Sequence, residues 1–109
     1  MKIDWERVTE LRDEIGADGF GEVVALFLEE ADEVMARITT ADGAKAVEAD
    51  LHFLKGAALN LGFQDFAALC QEGERRAAAG DGGVDLAAVR ASYLAAKTAL
   101  ADGMGSLAA

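Results

Sequence analysis

The chain of 109 residues contains no proline, one cysteine and one histidine. A single cysteine excludes an internal disulfide, and together with a single histidine it excludes a zinc site built from several such ligands. Basic residues are also scarce. The chain has 10 lysines and arginines against 20 aspartates and glutamates, which gives a formal net charge of −10. So large an excess of negative charge disfavours nucleic acid and anionic membranes as partners.

Long apolar runs are absent as well. No stretch approaches the ~18 uninterrupted apolar residues of a membrane-spanning helix, and the opening MKIDWERVTE does not resemble a signal peptide. We therefore expect an intracellular protein with no membrane partner. The low cysteine content favours the reducing cytoplasm.

The sequence is instead rich in alanine and in amphipathic helical patterns. Apolar residues recur three and four positions apart in five segments, which short turns containing glycine and aspartate separate. The predicted helices cover about 4–15, 20–39, 44–61, 63–79 and 84–101.

Short turns between these helices favour an all-α fold, an antiparallel up-down four-helix bundle with an additional short N-terminal helix. We expect a single domain over residues 1–109. Its parts are a cap helix with its turn (1–19), the bundle (20–101) and a flexible tail (102–109).

His52 lies in the third predicted helix, within LHFLKGAALNLG. A helical wheel at ~100° per residue gathers the apolar residues of this helix into one narrow sector, formed by Val47, Leu51, Leu54, Ala58 and Leu61. His52 lies roughly 140° from that sector and is expected to face solvent. Lys55 and Gly56 follow one turn later on the same outer face, with Ala49 and Leu59 nearby.

These residue types suit phosphoryl transfer. An imidazole is largely neutral at cell pH, so one ring nitrogen keeps a lone pair that can attack phosphorus. Lys55 would offset the charge of a phosphoryl group on His52. Gly56 costs the helix ~1 kcal/mol relative to alanine, which close approach by a partner would explain. No nucleotide-binding loop is present, so a partner would bring the phosphoryl group and the metal ion.

The spacing of His52, Lys55, Gly56 and Gly62 resembles the histidine phosphotransfer (HPt) domains of bacterial phosphorelays. In that family a histidine is followed by lysine at +3, glycine at +4 and a second glycine at +10, as here. The next helix, FAALCQEGERRAAAGD, is also similar. The resemblance implies a four-helix bundle in which Nε2 of His52 accepts a phosphoryl group from a receiver-domain aspartyl phosphate and relays it to another receiver aspartate.

The same resemblance implies partners and further site residues. Receiver domains of response regulators, or of a hybrid histidine kinase, are the expected partners. The receiver is expected to hold the Mg²⁺ ion, with no cofactor on this chain. Lys55 would assist the phosphoryl group, while Gly56, Ala49, Leu59 and Val23 would form the docking surface. The chain would then be a phosphocarrier without a nucleotide-dependent catalytic site of its own.

Gly73 and Glu74 are among the positions that depart from the family pattern. Gly73 stands where an apolar residue is common, and we expect it to loosen the packing of the fourth helix. Glu74 stands where some members have a glutamine near the phosphorylated ring. We assign Glu74 no role, because a second anion would not help to bind phosphate.

Two other functions stay open at this point. The chain could be the phosphoryl-accepting domain of a chemotaxis-type histidine kinase, or a receiver-binding helical module without transfer chemistry. A monomer is expected because each helix shows one main apolar stripe. Exposed apolar side chains at Phe53 and Leu59 could still support a weak dimer.

Overall fold

A computed structural model describes residues 3–108. Within these residues it contains five α-helices, which are Trp5–Ile15 (α1), Ala17–Arg37 (α2), Ala44–Leu61 (α3), Gln64–Ala78 (α4) and Leu86–Ala108 (α5). A 3-10 turn at Thr40–Asp42 precedes α3. The described part of the chain has no strand beyond one isolated bridge between Ile3 and Phe63. The protein is therefore all-helical, as the sequence predicts.

Helix α3, which carries the histidine, has the bounds that the sequence predicts. Gly62 ends it in the left-handed conformation, at φ 73°, which glycine adopts without a steric penalty. The backbone N–H of Asp4 donates to the Gly62 carbonyl at 2.7 Å. A Cβ at position 62 would lie only 2.6 Å from the Asp4 carbonyl oxygen. Gly62 thus ends α3 and also lets the start of α1 pack against that end.

Helix α5 continues beyond its predicted end at residue 101 and reaches Ala108. The ring of Trp5 occupies the space that a side chain on Gly103 would need, and Met104 packs against the core. This contact with α1 offsets the low helical propensity of the glycine. Residues 102–108 are therefore helical where the sequence predicts a flexible tail, and position 109 lies outside the described residues.

Helix α2 also differs from its predicted span, because it begins at Ala17 and ends at Arg37. The turn assigned to residues 16–19 therefore shrinks to Gly16, whose φ of 96° suits glycine. The cap segment and the first helix of the bundle are joined almost directly, so α1 is held close to α2.

The predicted apolar stripes form the core. Those of α3 and α5 are buried along their whole length, at Val47, Leu51, Leu54, Ala58, Leu61, Leu86, Val89, Tyr93, Ala96 and Leu100. Leu69 of α4 is an exception and is 38% exposed. Cys70 is buried, and burial, reinforced by the charge of Glu74 and opposed by that of Lys55, raises the pKa of its thiol to about 12. Such a thiol is unreactive, as a core cysteine should be.

Each of the helices α2 to α5 contacts two of the others. Helix α3 packs between α2 and α4, and α4 also contacts α5. Polar groups join α5 to α2 and to the residue that follows it. The Tyr93 hydroxyl donates to Asp32 at 2.6 Å, and Lys97 Nζ donates to Asp32 at 2.9 Å. Arg90 donates to the Ile38 carbonyl at 2.6 Å. Partial burial alone would raise the pKa of Asp32, but the hydrogen bonds from Tyr93 and Lys97 outweigh it and lower that pKa.

Gly73 lies where α4 packs closely against its neighbours. A Cβ at this position would lie 2.7 Å from Leu51 Cδ1 and 3.1 Å from Val84 Cγ1. The expectation that this glycine loosens the helix is therefore wrong, since the missing side chain lets two core residues reach the α4 backbone. Because Leu51 precedes His52, this contact also brings α4 close to the histidine.

Candidate functional site

The single histidine lies on the outward face of α3. Leu51 and Leu54 on the same helix are 0% exposed, whereas the His52 side chain is 69% exposed. The helical period therefore anchors one face in the core and presents the imidazole on the other. The predicted solvent-facing position of His52 is confirmed.

A carboxylate on the neighbouring helix holds one nitrogen of this ring. Glu74 of α4 places Oε2 2.8 Å from His52 Nδ1 and Oε1 2.8 Å from Lys55 Nζ. Lys55 follows His52 by one helical turn, so a single carboxylate contacts both side chains of the sequence motif. We refer to His52, Lys55 and Glu74 as the His52 cluster.

The charge of Glu74 decides which ring nitrogen is protonated. The ammonium of Lys55 lowers the pKa of Glu74 below its usual value, against partial burial that raises it, and the contact with His52 lowers it further. An ionised carboxylate only accepts hydrogen bonds, so Nδ1 of His52 is the donor. In the neutral ring the lone pair then lies on Nε2, on the other side of the ring from Glu74.

Gly56 leaves the helix surface open one turn after His52. A Cβ at this position would meet no heavy atom within 4 Å, so packing inside the protein does not require the glycine. The Gly56 carbonyl accepts a hydrogen bond from Asn60 Nδ2 at 3.1 Å, and Arg7 of α1 donates to Asn60 Oδ1 at 3.3 Å. Helix α1 therefore supports the surface beside Gly56 without covering it.

The model of the Hpt domain family matches residues 22–108. The chain belongs to the Hpt domain family. Comparisons with curated proteins and with solved structures each gave no match. Hpt domains carry out phosphotransfer in phosphorelay signalling, where they interact with receiver domains and kinases. The matched range of this Hpt domain includes the whole His52 cluster, whereas helix α1 precedes it.

Glu74 is the residue of this Hpt domain that sequence reasoning missed. Its negative charge disfavours contact with a bound phosphate, but the same charge favours a hydrogen bond from the protonated Nδ1. The family resemblance places this position near the phosphorylated ring, and the neighbouring Gly73, whose lack of a side chain lets α4 approach α3, is a second signal. That approach depends on tertiary packing, so the pattern of α4 alone does not reveal the contact with His52.

The remaining residues of the predicted docking surface lie on two helices of the Hpt domain. Ala49 and Leu59 are exposed on α3, with Leu59 at 58%, while Val23 is half-buried on α2. Phe53 is exposed as well. These positions leave apolar surface on α3 near His52, and the docking roles of the individual residues stay predictions.

Neither a membrane span nor a metal-binding group of side chains occurs in the described part of the Hpt domain. None of its helices there combines the length and apolar character needed to cross a bilayer. No three side chains of histidine, cysteine, aspartate or glutamate are grouped there so that they could hold a metal ion. The His52 cluster, with one imidazole, one amine and one carboxylate, is equipped for nucleophilic attack and for charge compensation.

Proposed function

We propose that this Hpt domain is a phosphocarrier in two-component signalling. His52 accepts a phosphoryl group from the aspartyl phosphate of one receiver domain and relays it to the aspartate of another. The observation that carries the proposal is the exposed imidazole whose Nδ1 is held by Glu74 at 2.8 Å. This contact leaves Nε2 as the nucleophile and directs it to solvent, where a partner can approach.

The transfer step follows from this geometry. The Nε2 lone pair forms a bond to phosphorus while the bond between phosphorus and the receiver aspartate oxygen breaks, and that electron pair leaves with the carboxylate. The reverse exchange with a second receiver regenerates the free ring. The chain supplies the positioned nucleophile, and the Mg²⁺ ion is expected on the receiver.

Lys55 supports the proposal through its charge. Its side chain is only 24% exposed and its ammonium lies 2.8 Å from Glu74 Oε1, one turn from His52. An ammonium one helical turn from the ring would compensate part of the negative charge that a phosphoryl group adds. We therefore propose that Lys55 is the second functional side chain of the motif.

We further infer that α2 to α5 form an antiparallel up-down bundle. The contacts between α2 and α5 run in opposite sequence directions, since Arg90 reaches Ile38 whereas Lys97 reaches Asp32. In such a bundle α3 has one face in the core and one face free. The free face would receive the receiver domain, with Gly56 at the closest point of contact.

We also propose a docking surface, an oligomeric state and a compartment for this domain. Gly56, Ala49 and Leu59 on α3, with Val23 on α2, would form the docking surface, and binding would be weak and transient. Burial of one main apolar stripe on each helix supports a monomer. The single, buried cysteine suits a reducing cytoplasm.

Transfer from a radiolabelled phospho-receiver tests this proposal. The wild-type chain should take up label that is lost in acid, as a phosphorus–nitrogen bond is, and His52→Gln should take up none. Lys55→Gln should slow the uptake, while Lys45→Gln, which removes an exposed lysine one turn before the docking residue Ala49, should leave it unchanged. Label on His52→Gln would contradict the proposal.

A second phosphoryl source separates the open alternatives. In a parallel reaction the chain is incubated with ATP and the nucleotide-binding domain of a chemotaxis-type kinase. Uptake there, with none from any phospho-receiver, would assign the chain to that class of kinase instead. Receiver binding without uptake from either source would identify a module that only binds.

A further inference from the structure

Asn60 follows Gly56 by one turn of α3, and the predicted docking surface does not include it. We propose that Asn60 is a docking residue whose side-chain amide donates a hydrogen bond to an acceptor on the receiver domain, and that Arg7 of α1 is the positioning residue that orients this amide. The inference deepens the proposed function and rests on it, because it concerns the partner that docks at Gly56.

Asn60 lies at the edge of the open helix surface. Residues four apart in an α-helix share a face, so Asn60 is a neighbour of the exposed Gly56, and it is itself half-buried. A Cβ on Gly56 would meet no heavy atom within 4 Å. A partner that comes close to the backbone of the glycine therefore also comes within reach of the Asn60 amide.

Both ends of the Asn60 amide have a partner inside the protein. Arg7 Nη2 donates to Oδ1 at 3.3 Å, and Nδ2 donates to the Gly56 carbonyl at 3.1 Å. A guanidinium only donates hydrogen bonds and a backbone carbonyl only accepts them, so the amide fits these two partners in one orientation and not in the flipped one. The two contacts therefore hold the NH2 group of Asn60 beside Gly56.

This NH2 group can make one more hydrogen bond. An amide nitrogen carries two N–H bonds, and the Gly56 carbonyl is the one acceptor that Nδ2 contacts in the described structure. The second N–H suits a backbone carbonyl or a side-chain oxygen on the receiver. Because the amide is already held in place, it loses little conformational freedom when such an oxygen accepts from it.

Arg7 is in turn held by its own helix. Its Nη1 lies 3.2 Å from Glu10 Oε2 and 3.5 Å from Glu14 Oε1, and its side chain is only 25% exposed. These ion pairs engage Nη1, while Nη2 donates to Asn60. Helix α1 precedes residues 22–108, which the family model matches. The orientation of the amide thus depends on a part of the chain outside the matched range.

The test of Asn60 measures transfer from a radiolabelled phospho-receiver over a range of receiver concentrations, which separates KM from kcat. Asn60→Ala should raise KM about fivefold and leave kcat unchanged, because one hydrogen bond to the docked partner is lost. Asn60→Asp should raise KM at least as much, since a carboxylate keeps the acceptor for Arg7 but has no N–H to donate. Loading by a small phosphoramidate needs no docked partner and should be the same in all variants.

A double-mutant cycle tests the role of Arg7. Arg7→Met removes the donor and should raise KM about twofold, since an amide that can flip has the correct orientation about half the time. In the Asn60→Ala background the same substitution should have no further effect on KM, whereas a purely structural role would act equally in both backgrounds.

Thr98→Ala is the matched control for the loss of a side-chain hydrogen bond. Thr98 Oγ1 donates to the Leu94 carbonyl at 3.1 Å, which is also a contact with a carbonyl four residues earlier, but it lies on α5. The substitution should leave KM unchanged. Unfolding curves for each variant exclude a loss of fold as the cause of any change.

A wild-type KM in both Asn60→Ala and Asn60→Asp would overturn the inference for Asn60. Additive effects of Arg7→Met and Asn60→Ala would overturn it for Arg7. Failure of the proposed function looks different. In that case no phospho-receiver would load His52, while binding of the unphosphorylated receiver, followed by the backbone NMR shifts of α3, would still be about fivefold weaker for Asn60→Ala.

Discussion

Replacing Gly56 with alanine should stabilise the fold and weaken partner docking at the same time. Gly56 lies inside α3 with helical backbone angles, and a Cβ there would meet no heavy atom within 4 Å. The substitution therefore gains helix propensity without overpacking, about 0.5–1 kcal/mol of unfolding free energy. For a domain of this size the melting temperature should rise by about 2–7 °C.

The expected effect on transfer has the opposite sign. If the receiver backbone approaches α3 at Gly56, one added methyl group at the contact should cost about 1–2 kcal/mol of docking energy, as overpacking does in a core. The rate constant for transfer from dilute phospho-receiver, kcat/KM, should fall by about tenfold. The longer side chain of Gly56→Gln should reduce it further.

Single-turnover transfer from a radiolabelled phospho-receiver measures kcat/KM, and thermal unfolding measures the stability of the same samples. Loading by a small phosphoramidate is the control, because it needs no docking surface and should be unchanged. Transfer at the wild-type rate in both variants would refute docking at Gly56. A lower melting temperature for Gly56→Ala would refute the open geometry described for this position.

Three further predictions concern the fold that presents the site. Gly62→Ala should lower the free energy of unfolding by about 2–4 kcal/mol, because alanine is strained at φ 73° and its Cβ would lie 2.6 Å from the Asp4 carbonyl oxygen. Gly80→Ala should lower it by only about 1–2 kcal/mol, because φ is 87° there but a Cβ would meet nothing within 4 Å. Equal losses in urea unfolding would contradict the contact with Asp4. Gly73→Ala should destabilise by about 1 kcal/mol, because overpacking of the core outweighs the gain in helix propensity; a higher melting temperature would argue against the close packing. Hydrogen bonds hold the pKa of Asp32 below its usual value. The stability that the ionised carboxylate contributes is therefore present above about pH 4 and is lost as the pH falls. Asp32→Asn should therefore lose less stability than the wild type between neutral and acid pH, and parallel losses in urea titrations would count against this.

The sequence allowed the site helix to be predicted well because its signals are local. The apolar stripe of α3 repeats with the helical period, Gly62 ends the helix at a left-handed position, and both lie within a few residues of His52. The outward direction of the imidazole follows from that stripe alone. Gly56 and Lys55 lie on the same helix as His52, so their positions were predictable too.

Features that depend on contacts between distant segments were not predictable in this way. The extension of α5 to Ala108 rests on Trp5, which lies about one hundred positions earlier in the chain. The close packing at Gly73 requires side chains from two other segments. The contact of Glu74 with His52 depends on that packing, and no residue spacing within α4 encodes it.

The most direct test of the account locates the phosphoryl group on the protein. NMR spectra of the ¹⁵N-labelled chain, loaded by a phospho-receiver, would report phosphorus coupling at one nitrogen and the proton at the other. The account predicts phosphorus on Nε2 of His52 with Nδ1 still protonated. Phosphorus on Nδ1, or an acid-stable phosphoryl group on another residue, would contradict it.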